Sequence, residues 1–313
     1  MKAIQFLTLT ALGAALFASC SNEEELTRGS YPNDNIIRVT AGVNNMTRGN
    51  EATTALNKDF SLNVVNSTND NYSYANEIIS LKGGTEWSST NKLLWENLAT
   101  QVEIVALYPA TDANTFAGVF SKESNSYGTI SYGVKPDQST RDDANDLLLY
   151  HNTSFVPNND LKAGKLDIQF NHAFCRVDIE VTIGSEFNAT NGLAANPIQG
   201  IKVEGTKTTA KIGFASTAPF FTVTPSASGE VTSIIPTLDD FTPAASATEQ
   251  AVAKYSCIVI PQTATLKVVL HTSDMEYEWT DTQKELESGK QYTLQLTMKK
   301  SATTRNFILR ERK

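Results

Sequence analysis

Cysteine and histidine are scarce in this chain of 313 residues, which contains three of each. The histidines, His151, His172 and His271, are scattered, and none has a second histidine or a cysteine at metal-ligand spacing. The GxSxG, HExxH and paired CxxC motifs are missing, as is a glycine-rich phosphate loop, although a catalytic pair of carboxylates stays open. We therefore expect no metal, no cofactor and no enzymatic activity.

Basic residues are also in the minority, with 26 Lys and Arg against 34 Asp and Glu, for a formal net charge of −8. No basic stripe interleaved with aromatic residues occurs before the last few positions. Binding to nucleic acid depends on clustered cations that face the phosphates. A nucleic-acid partner is therefore excluded.

The apolar run at the N-terminus is short, since Phe6 to Phe17 covers roughly 12 residues, too few to span a bilayer. It follows Lys2 and leads into Phe17-Ala18-Ser19-Cys20, where small residues precede a thiol. This pattern is typical of a lipobox. We predict a lipoprotein signal peptide at residues 1–19 that is removed on export, and acylation of Cys20 by fatty acids such as palmitate. The alternative is an ordinary cleaved signal peptide with a chance cysteine.

An acidic run, Ser21-Asn22-Glu23-Glu24-Glu25, follows Cys20 directly. It resembles the sorting signal of lipoproteins displayed outside the outer membrane of double-membraned bacteria. Because like charges repel and extend a chain, the run also suits a solvated tether, and the two interpretations are compatible. We predict a flexible acidic tether at residues 20–35 and a surface-exposed location on the cell outer membrane.

From residue 36 onward, alternating or apolar runs separated by turn residues predict β-strands. We expect an all-β chain with an N-terminal antiparallel β-sandwich at residues 36–184, a C-terminal one at 185–300 and a tail at 301–313. Residues 236–250 are predicted to form an exposed loop. Predicted strands cover residues 36–43, 60–65, 77–82, 101–108, 147–151, 166–170, 174–183, 201–203, 209–214, 220–224, 231–235, 255–260, 265–271, 276–280 and 292–298.

Cys175 and Cys257 lie in predicted strands of the two separate domains. They could form one disulfide, but buried thiols are favoured because free cysteine behaves as a small hydrophobic residue. His172 is predicted to be a hydrogen-bonded strand residue, since no nucleophile or second acid lies beside it in sequence. The acidic run at residues 142–146 lacks the central glycine and terminal glutamate of an EF-hand loop, which favours a polar turn over calcium binding.

Several segments together resemble the fimbrillin family, the lipoprotein-derived subunits of type V pili. They occur in the family's order and cover nearly the whole mature chain. One departure is the charged end, Arg310-Glu311-Arg312-Lys313, in place of a clearly apolar extension. The matching segments are Trp87 with Leu93-Leu94-Trp95, Val105-Ala106-Leu107-Tyr108-Pro109, Asp146-Leu147-Leu148-Leu149-Tyr150, Phe170-Asn171-His172-Ala173-Phe174-Cys175-Arg176-Val177 and Leu286-Glu287-Ser288-Gly289-Lys290-Gln291-Tyr292.

The resemblance implies two tandem transthyretin-like β-sandwiches and a maturation step. In the family, an arginine-specific protease cuts the loop after the first strand, and a strand from a neighbouring subunit replaces the strand that is lost. Here the cleavage candidates are Arg48 first and Arg28 second, although both could be solvated loop arginines. The candidate donor strand contains Phe307, Ile308 and Leu309, which could instead form a final strand or a frayed terminus.

The implied function is that of a structural subunit of a cell-surface fimbrium, at the stalk, the tip or the anchor. Its partners would be other fimbrial subunits, the outer membrane through the lipid, and a surface ligand on host or bacterial cells. The alternative is a glycan-binding surface lipoprotein. That alternative needs exposed aromatic side chains for sugar stacking, with Trp87, Trp95, Trp279, Tyr72 and Tyr74 as candidates.

Overall fold

The computed structural model of the protein describes residues 34–44, 56–84, 86–110, 120–121, 126–215, 221–227, 231–300 and 308–311. Strands dominate these ranges, which confirms the expectation of a mostly β protein. Helical structure in this part of the chain is limited to α1 (Pro157–Asp160) and three 3-10 turns at Asp70–Tyr72, Asp143–Asn145 and Ser185–Phe187. No helix in the described ranges is long and apolar enough to cross a membrane.

The strands are short and are separated by turns. In chain order they are β1 (Val39–Val43), β2 (Phe60–Val65), β3 (Tyr74–Lys82), β4 (Glu86–Ser89), β5 (Val102–Tyr108), β6 (Phe120–Ser121), β7 (Ser126–Tyr127), β8 (Thr129–Gly133), β9 (Leu148–Phe155), β10 (Leu166–His172), β11 (Cys175–Ile183), β12 (Gly200–Glu204), β13 (Thr209–Phe214), β14 (Phe221–Pro225), β15 (Thr237–Thr242), β16 (Ala251–Val259), β17 (Gln262–Ala264), β18 (Lys267–His271), β19 (Glu276–Thr280), β20 (Lys284–Leu286), β21 (Gln291–Met298) and β22 (Ile308–Glu311).

Seven strands form a closed sheet in the order β1-β10-β9-β5-β2-β3-β4. Its neighbouring strands run antiparallel except β1 and β10, which are parallel. The inward side chains form one core cluster, with Phe60, Tyr108 and Phe170 among its aromatic members. The Phe170 ring centroid lies 5.4 Å from that of Phe60 and 6.1 Å from that of Tyr108, so aromatic packing joins strands that are not neighbours in the sheet.

A second core cluster lies around a five-stranded sheet of order β15-β16-β11-β21-β22. The sheets β12-β18-β19 and β14-β13-β8 contribute buried side chains to the same cluster. β11 shows the alternation that its sequence indicates, since Val177, Ile179 and Val181 are buried and the residues between them are half-buried. This period of two arises because successive side chains of a strand point to opposite faces.

β11 lies before the boundary predicted at residue 184 but pairs with β16 and β21, which lie after it. Cys175 and Cys257 are therefore in one sheet, and the expectation of separate domains is wrong for them. The expectation of two buried thiols is confirmed, because no disulfide joins them. Cys175 is opposite Val259 and Cys257 is opposite Val177, a diagonal arrangement. Burial raises the pKa of the Cys257 thiol far above its ordinary value.

Two assignments in the second half of the chain are wrong. Residues 231–235, predicted to be a strand, form only isolated bridges. Residues 237–242, predicted to belong to an exposed loop, form the edge strand β15, with a bulge in its pairing between Leu238 and Asp240. An edge strand needs few apolar side chains, which is why the polar sequence of β15 did not reveal it.

Candidate functional site

The N-terminal strand β1 is attached to the closed sheet mainly on one side. It forms a parallel ladder with β10, from Val39 opposite Leu166 to Val43 opposite Phe170. On its other side, pairing with β4 in the described residues is confined to Val39 opposite Trp87. β1 therefore depends on β10 for most of its backbone pairing, and its departure would leave a row of unpaired backbone groups on β10.

The inward side chains of β1 are small. Val39 is 6% exposed and belongs to the first core cluster, and Ala41 and Val43 are half-buried against it. Thr40 lies on the opposite face, where its Oγ1 donates a hydrogen bond of 3.2 Å to Asp167 Oδ1. Because full burial of a valine contributes only about 1.5–3 kcal/mol, β1 is held with a modest apolar contribution.

Two carboxylates support this strand electrostatically. Arg38 donates two hydrogen bonds to Asp34, of 2.9 and 2.6 Å, and these lower the pKa of Asp34 to about 2. Burial raises the pKa of Asp167 on β10, but hydrogen bonds from Lys162 and Gln169 outweigh it, so that this pKa lies below its ordinary value. Both carboxylates are therefore charged at neutral pH.

A cavity of about 440 Å³ lies beside the start of β1. One wall is the segment 36–39, and the other is the segment 86–93, which includes β4 and the loop that follows it. Ile79 and Trp87 contribute apolar lining, and Lys92 and Lys165 are exposed cations at the same cavity. β1 and β4 are thus paired at Val39, and the cavity lies between the two segments next to that pair.

The chain after β1 leads to the candidate cleavage residue. The backbone N–H of Asn44 donates to the carbonyl of Phe170 at 2.9 Å, which extends the attachment to β10 by one residue. Arg48 comes four positions later, outside the described residues, and Cys20 and Arg28 also lie outside them. The assignments of these three residues remain predictions.

The candidate donor residues lie in a different sheet. Ile308 and Leu309 begin β22, which pairs antiparallel with β21 at the edge of the five-stranded sheet, with Leu309 opposite Leu294 and Ile308 opposite Gln295. Phe307 lies outside the described residues. The structure therefore brings Ile308 and Leu309 together on one edge strand and does not bring them to β1.

The tryptophans considered for sugar stacking are largely enclosed. Trp95 is 2% exposed and stacks on Phe155 with ring centroids 5.6 Å apart, and Trp279 is 8% exposed. Trp87 is half-buried, lies 5.1 Å from the Phe60 ring and borders the cavity beside β1. An exposed aromatic platform therefore cannot be built from Trp95 and Trp279.

The polar groups predicted to be structural have protein partners. His172 Nδ1 lies 3.0 Å from Asp146 Oδ2, which confirms a hydrogen-bonded strand residue. Asp142 accepts hydrogen bonds from Lys58 at 3.0 Å and from Lys135 at 2.6 Å. Within the described residues, no group of three or more His, Cys, Asp or Glu side chains could hold a metal ion.

The sequence did not reveal the parallel partner of β1 or the cavity beside it. The pairing joins segments more than 120 residues apart along the chain, such as Val39 and Leu166, and the two walls of the cavity lie about 50 residues apart, which no local pattern encodes. The composition of β1, Val39-Thr40-Ala41-Gly42-Val43, indicated only that its side chains are small and contribute little apolar burial.

The comparison with protein families gives one clear result. A family model described as fimbrillin-like matches residues 38–308, which is most of the chain. No curated protein matches the chain significantly.

Solved structures show a similar fold at low sequence identity. A candidate cell adhesion protein from Bacteroides uniformis ATCC 8492 is 14% identical, with a TM-score of 0.58 over 89% of this chain and 99% of that chain. Another from Bacteroides ovatus ATCC 8483 is 15% identical, with a TM-score of 0.54 over 88% and 96%. The tip fimbrial protein Mfa3 from Porphyromonas gingivalis is 10% identical, with a TM-score of 0.46 over 81% and 94%.

Proposed function

This chain belongs to the fimbrillin-like family, and we propose that it is a structural subunit of a cell-surface fimbrium, assembled by exchange of β-strands between copies or with other subunits. Members of this family are structural proteins of fimbriae and adhesion, without enzymatic activity, and fimbrial proteins act at the cell surface. The subunit's position, at the stalk, the tip or the anchor, is left open in this proposal.

The proposed architecture is a pair of tandem transthyretin-like β-sandwiches. Two core clusters support it, one inside the closed seven-stranded sheet and one around the five-stranded sheet, and the second cluster also includes Val105, Leu107 and Leu149 of the closed sheet. The strands β8 and β11 contribute to the second cluster although they precede residue 184. We therefore place the division between the two units by sheet membership rather than at one point in the sequence.

The attachment of β1 is the observation that carries the proposal. Cleavage after Arg48 would separate β1 from β2, so that β1 would be held by its ladder with β10, by its bridge to β4 and by the pairing of the segment before it, residues 35–37, with residues 93–95. Its release would expose the backbone groups of β10 next to an apolar trough that includes Phe60 and Phe170. An extended segment from a neighbouring subunit can satisfy both, through main-chain hydrogen bonds and alternating side chains.

The donor in this proposal is the C-terminal segment that contains Phe307, Ile308 and Leu309. Its pairing with β21 lies at a sheet edge, where one ladder holds it. A terminal edge strand can leave without opening the core of the sheet. The same segment can therefore pair within its own subunit before assembly and with a neighbour afterwards.

The proposed route to the surface begins at Cys20. Removal of residues 1–19 and acylation of Cys20 would anchor the subunit in the outer membrane, and several acyl chains on one cysteine would hold it firmly. Cleavage after Arg48 would then release stalk and tip subunits from their lipid. A subunit that keeps residues 20–48 would remain attached and serve as an anchor.

Gold labelling of the protein on expressing cells, viewed by electron microscopy, tests the function. We expect label on filaments, either along them, at their ends or at their bases. Label scattered over the envelope with no filament association would overturn the proposal. N-terminal sequencing of the surface-extracted protein separates the roles, because a start at Gly49 indicates stalk or tip and a start at Cys20 indicates an anchor.

The cleavage residue is tested by the charge-preserving variant Arg48→Lys, with Arg28→Lys as its matched control. If the protease requires arginine at residue 48, Arg48→Lys keeps the N-terminus at Cys20 and fails to enter filaments, whereas Arg28→Lys matures like the unmodified chain. Normal maturation of Arg48→Lys would reject this cleavage site without rejecting a fimbrial function.

A further inference from the structure

Two strand pairs of the described residues are parallel, β1 with β10 and β11 with β21, whereas every other ladder of these residues is antiparallel. The two parallel pairs are joined directly, because only residues 173–174 separate β10 from β11. Ala173 is fully buried, and its N–H donates to the carbonyl of Leu147 at 2.8 Å. Phe174 is also fully buried, and its carbonyl accepts from the N–H of Gly289 at 3.0 Å. A continuous segment, held on both sides, thus leads from the proposed acceptor groove to the five-stranded sheet.

Strand exchange would load each subunit of a fimbrium at two points. A neighbour's strand in the place of β1 pulls on β10, and so on the N-terminal end of β11. The subunit's own donor segment follows β21, and so pulls on the C-terminal end of β21. Because β11 and β21 are parallel, these two ends lie at opposite ends of their shared ladder. Tension then loads all hydrogen bonds of the ladder together, whereas an antiparallel pair would be peeled open from one end.

The ladder between β11 and β21 is long and shielded from water. It runs from Arg176 opposite Gln291 to Ile183 opposite Met298. The side chains on its core face are buried on both strands: Val177, Ile179, Val181, Ile183, Tyr292, Leu294, Leu296 and Met298. On the outer face, Gln291 Nε2 donates a hydrogen bond to Asp178 Oδ2, which also joins the two strands through side chains. Hydrogen bonds kept from water are not readily replaced by bonds to solvent as they stretch, so this ladder resists separation.

We infer that residues 176–183 of β11 and 291–298 of β21 form a mechanical clamp, the element that transmits tension from one subunit to the next along the fimbrium. This inference rests on the proposed strand exchange. The parallel direction of the clamp decides its strength, because it sets which ends are pulled. The same ladder should therefore withstand more force when it is pulled at opposite ends than when it is pulled at one end.

The first arm of the test pulls single molecules of the full chain between two handles. Handles on Lys165→Cys, directly before β10, and on Lys299→Cys, directly after β21, reproduce the proposed load. The matched control moves the second handle to Lys290→Cys, directly before β21, so that the same clamp is peeled from its N-terminal end. All three lysines are exposed, and their replacement leaves the buried side chains of the clamp in place.

Both proteins also carry Cys20→Ser, so that the handles attach only at the introduced thiols, since Cys175 and Cys257 are buried. We expect the unfolding force at one loading rate to be at least about twofold higher between residues 165 and 299 than between residues 165 and 290, because the whole ladder opposes the load. Equal forces, or a lower force for the proposed load, would overturn the inference.

The second arm weakens the clamp while the handles stay at residues 165 and 299. Leu296→Ala removes apolar contact within the clamp, where Leu296 is opposite Val181. Its matched control is Leu270→Ala, a buried leucine of β18 in the same core cluster. Both variants should lower the melting temperature, but only Leu296→Ala should lower the unfolding force. Equal losses of force would overturn the inference, and if either variant fails to fold, the comparison of the two handle pairs decides alone.

Failure of the clamp can be told apart from failure of the proposed function. Equal forces for the two handle pairs, together with gold-labelled filaments on cells, reject the clamp and leave the fimbrial subunit standing. Cells that display the protein without filaments reject the proposed function, and the clamp falls with it, whatever force the isolated chain withstands.

Discussion

Individual carboxylate side chains connect loops of this protein to its sheets through hydrogen bonds and ion pairs. Asp142 is one example, since it accepts hydrogen bonds from Lys58 before β2, from Lys135 after β8, and from the backbone N–H of Ala144. The Lys135 hydrogen bond, aided by Ala144 and Lys58, holds the pKa of Asp142 far below its ordinary value of 3.8. The charged form of this residue is therefore tied to the folded state.

We expect the variant Asp142→Asn to lower the free energy of unfolding by about 1 kcal/mol at neutral pH, because it removes the charge opposite two lysines. A carboxyl group with a lowered pKa stabilises the folded state above its unfolded pKa, and this contribution is lost as the pH falls through its folded pKa. The deficit of the variant should thus be complete above about pH 5 and shrink below the ordinary value of 3.8. Urea unfolding at several pH values measures it.

The matched control is Asp274→Asn, an exposed carboxylate on the turn between β18 and β19. Its replacement should change the unfolding free energy by less than about 0.5 kcal/mol at any pH. Equal deficits for the two variants, or a deficit at Asp142 that persists unchanged in acid, would show that the charge of Asp142 does not stabilise this fold.

At the scale of elements, the strands at the two ends of the described chain share one property. β1 has its main ladder with β10, and β22 is paired with β21 at the edge of its sheet. Each forms its ladder with one main neighbour, whereas β11 is paired over residues 176–183 with both β16 and β21. Strands that pair mainly with one neighbour, such as β1 and β22, are suited to exchange. Strands that pair with two neighbours, such as β11, form the stable core.

Deletion of residues 301–313 tests the pairing of β22. Without its partner, the outer edge of β21 loses the ladder around Tyr292 to Gln295, and we expect faster amide hydrogen exchange in peptides that cover β21. β16, which contacts β11 and β15 instead, should keep its protection and serves as the internal control. Unchanged exchange in β21 would mean that β22 contributes no lasting ladder to this sheet.

At the scale of the whole molecule, local pattern predicted the strands but not their partners. The alternation in residues 177–183 predicted β11 correctly, because one face of that strand meets a core and the other is less buried. Its neighbour β21 lies more than 100 residues away, and the segment Thr129–Gly133 pairs with β13 across about 80 residues. Such long-range pairing is decided by packing between sheets, which a single sequence does not display.

The same limit applies to the candidate site. The sequence indicated β1 as a strand, and the structure confirms it. The sequence could not indicate that Val39 pairs with both β10 and β4, or that a cavity lies beside it. The shape of a cavity depends on all the segments that line it, and these are distant in sequence. The roles predicted for Cys20 and Arg48 rest on short sequence motifs, and they require tests in living cells.

The location of the whole molecule depends on Cys20, and this is tested by labelling cells with radioactive palmitate. We expect label on the unmodified protein and none on Cys20→Ser, since the serine oxygen does not replace the thiol in lipid transfer. The control Cys257→Ala should keep the label, because that thiol is buried in β16 and lies far along the chain from the lipobox. Label that persists in Cys20→Ser, or an unlabelled natural protein, would contradict lipid anchoring and leave the fimbrial subunit to reach the surface by an ordinary signal peptide.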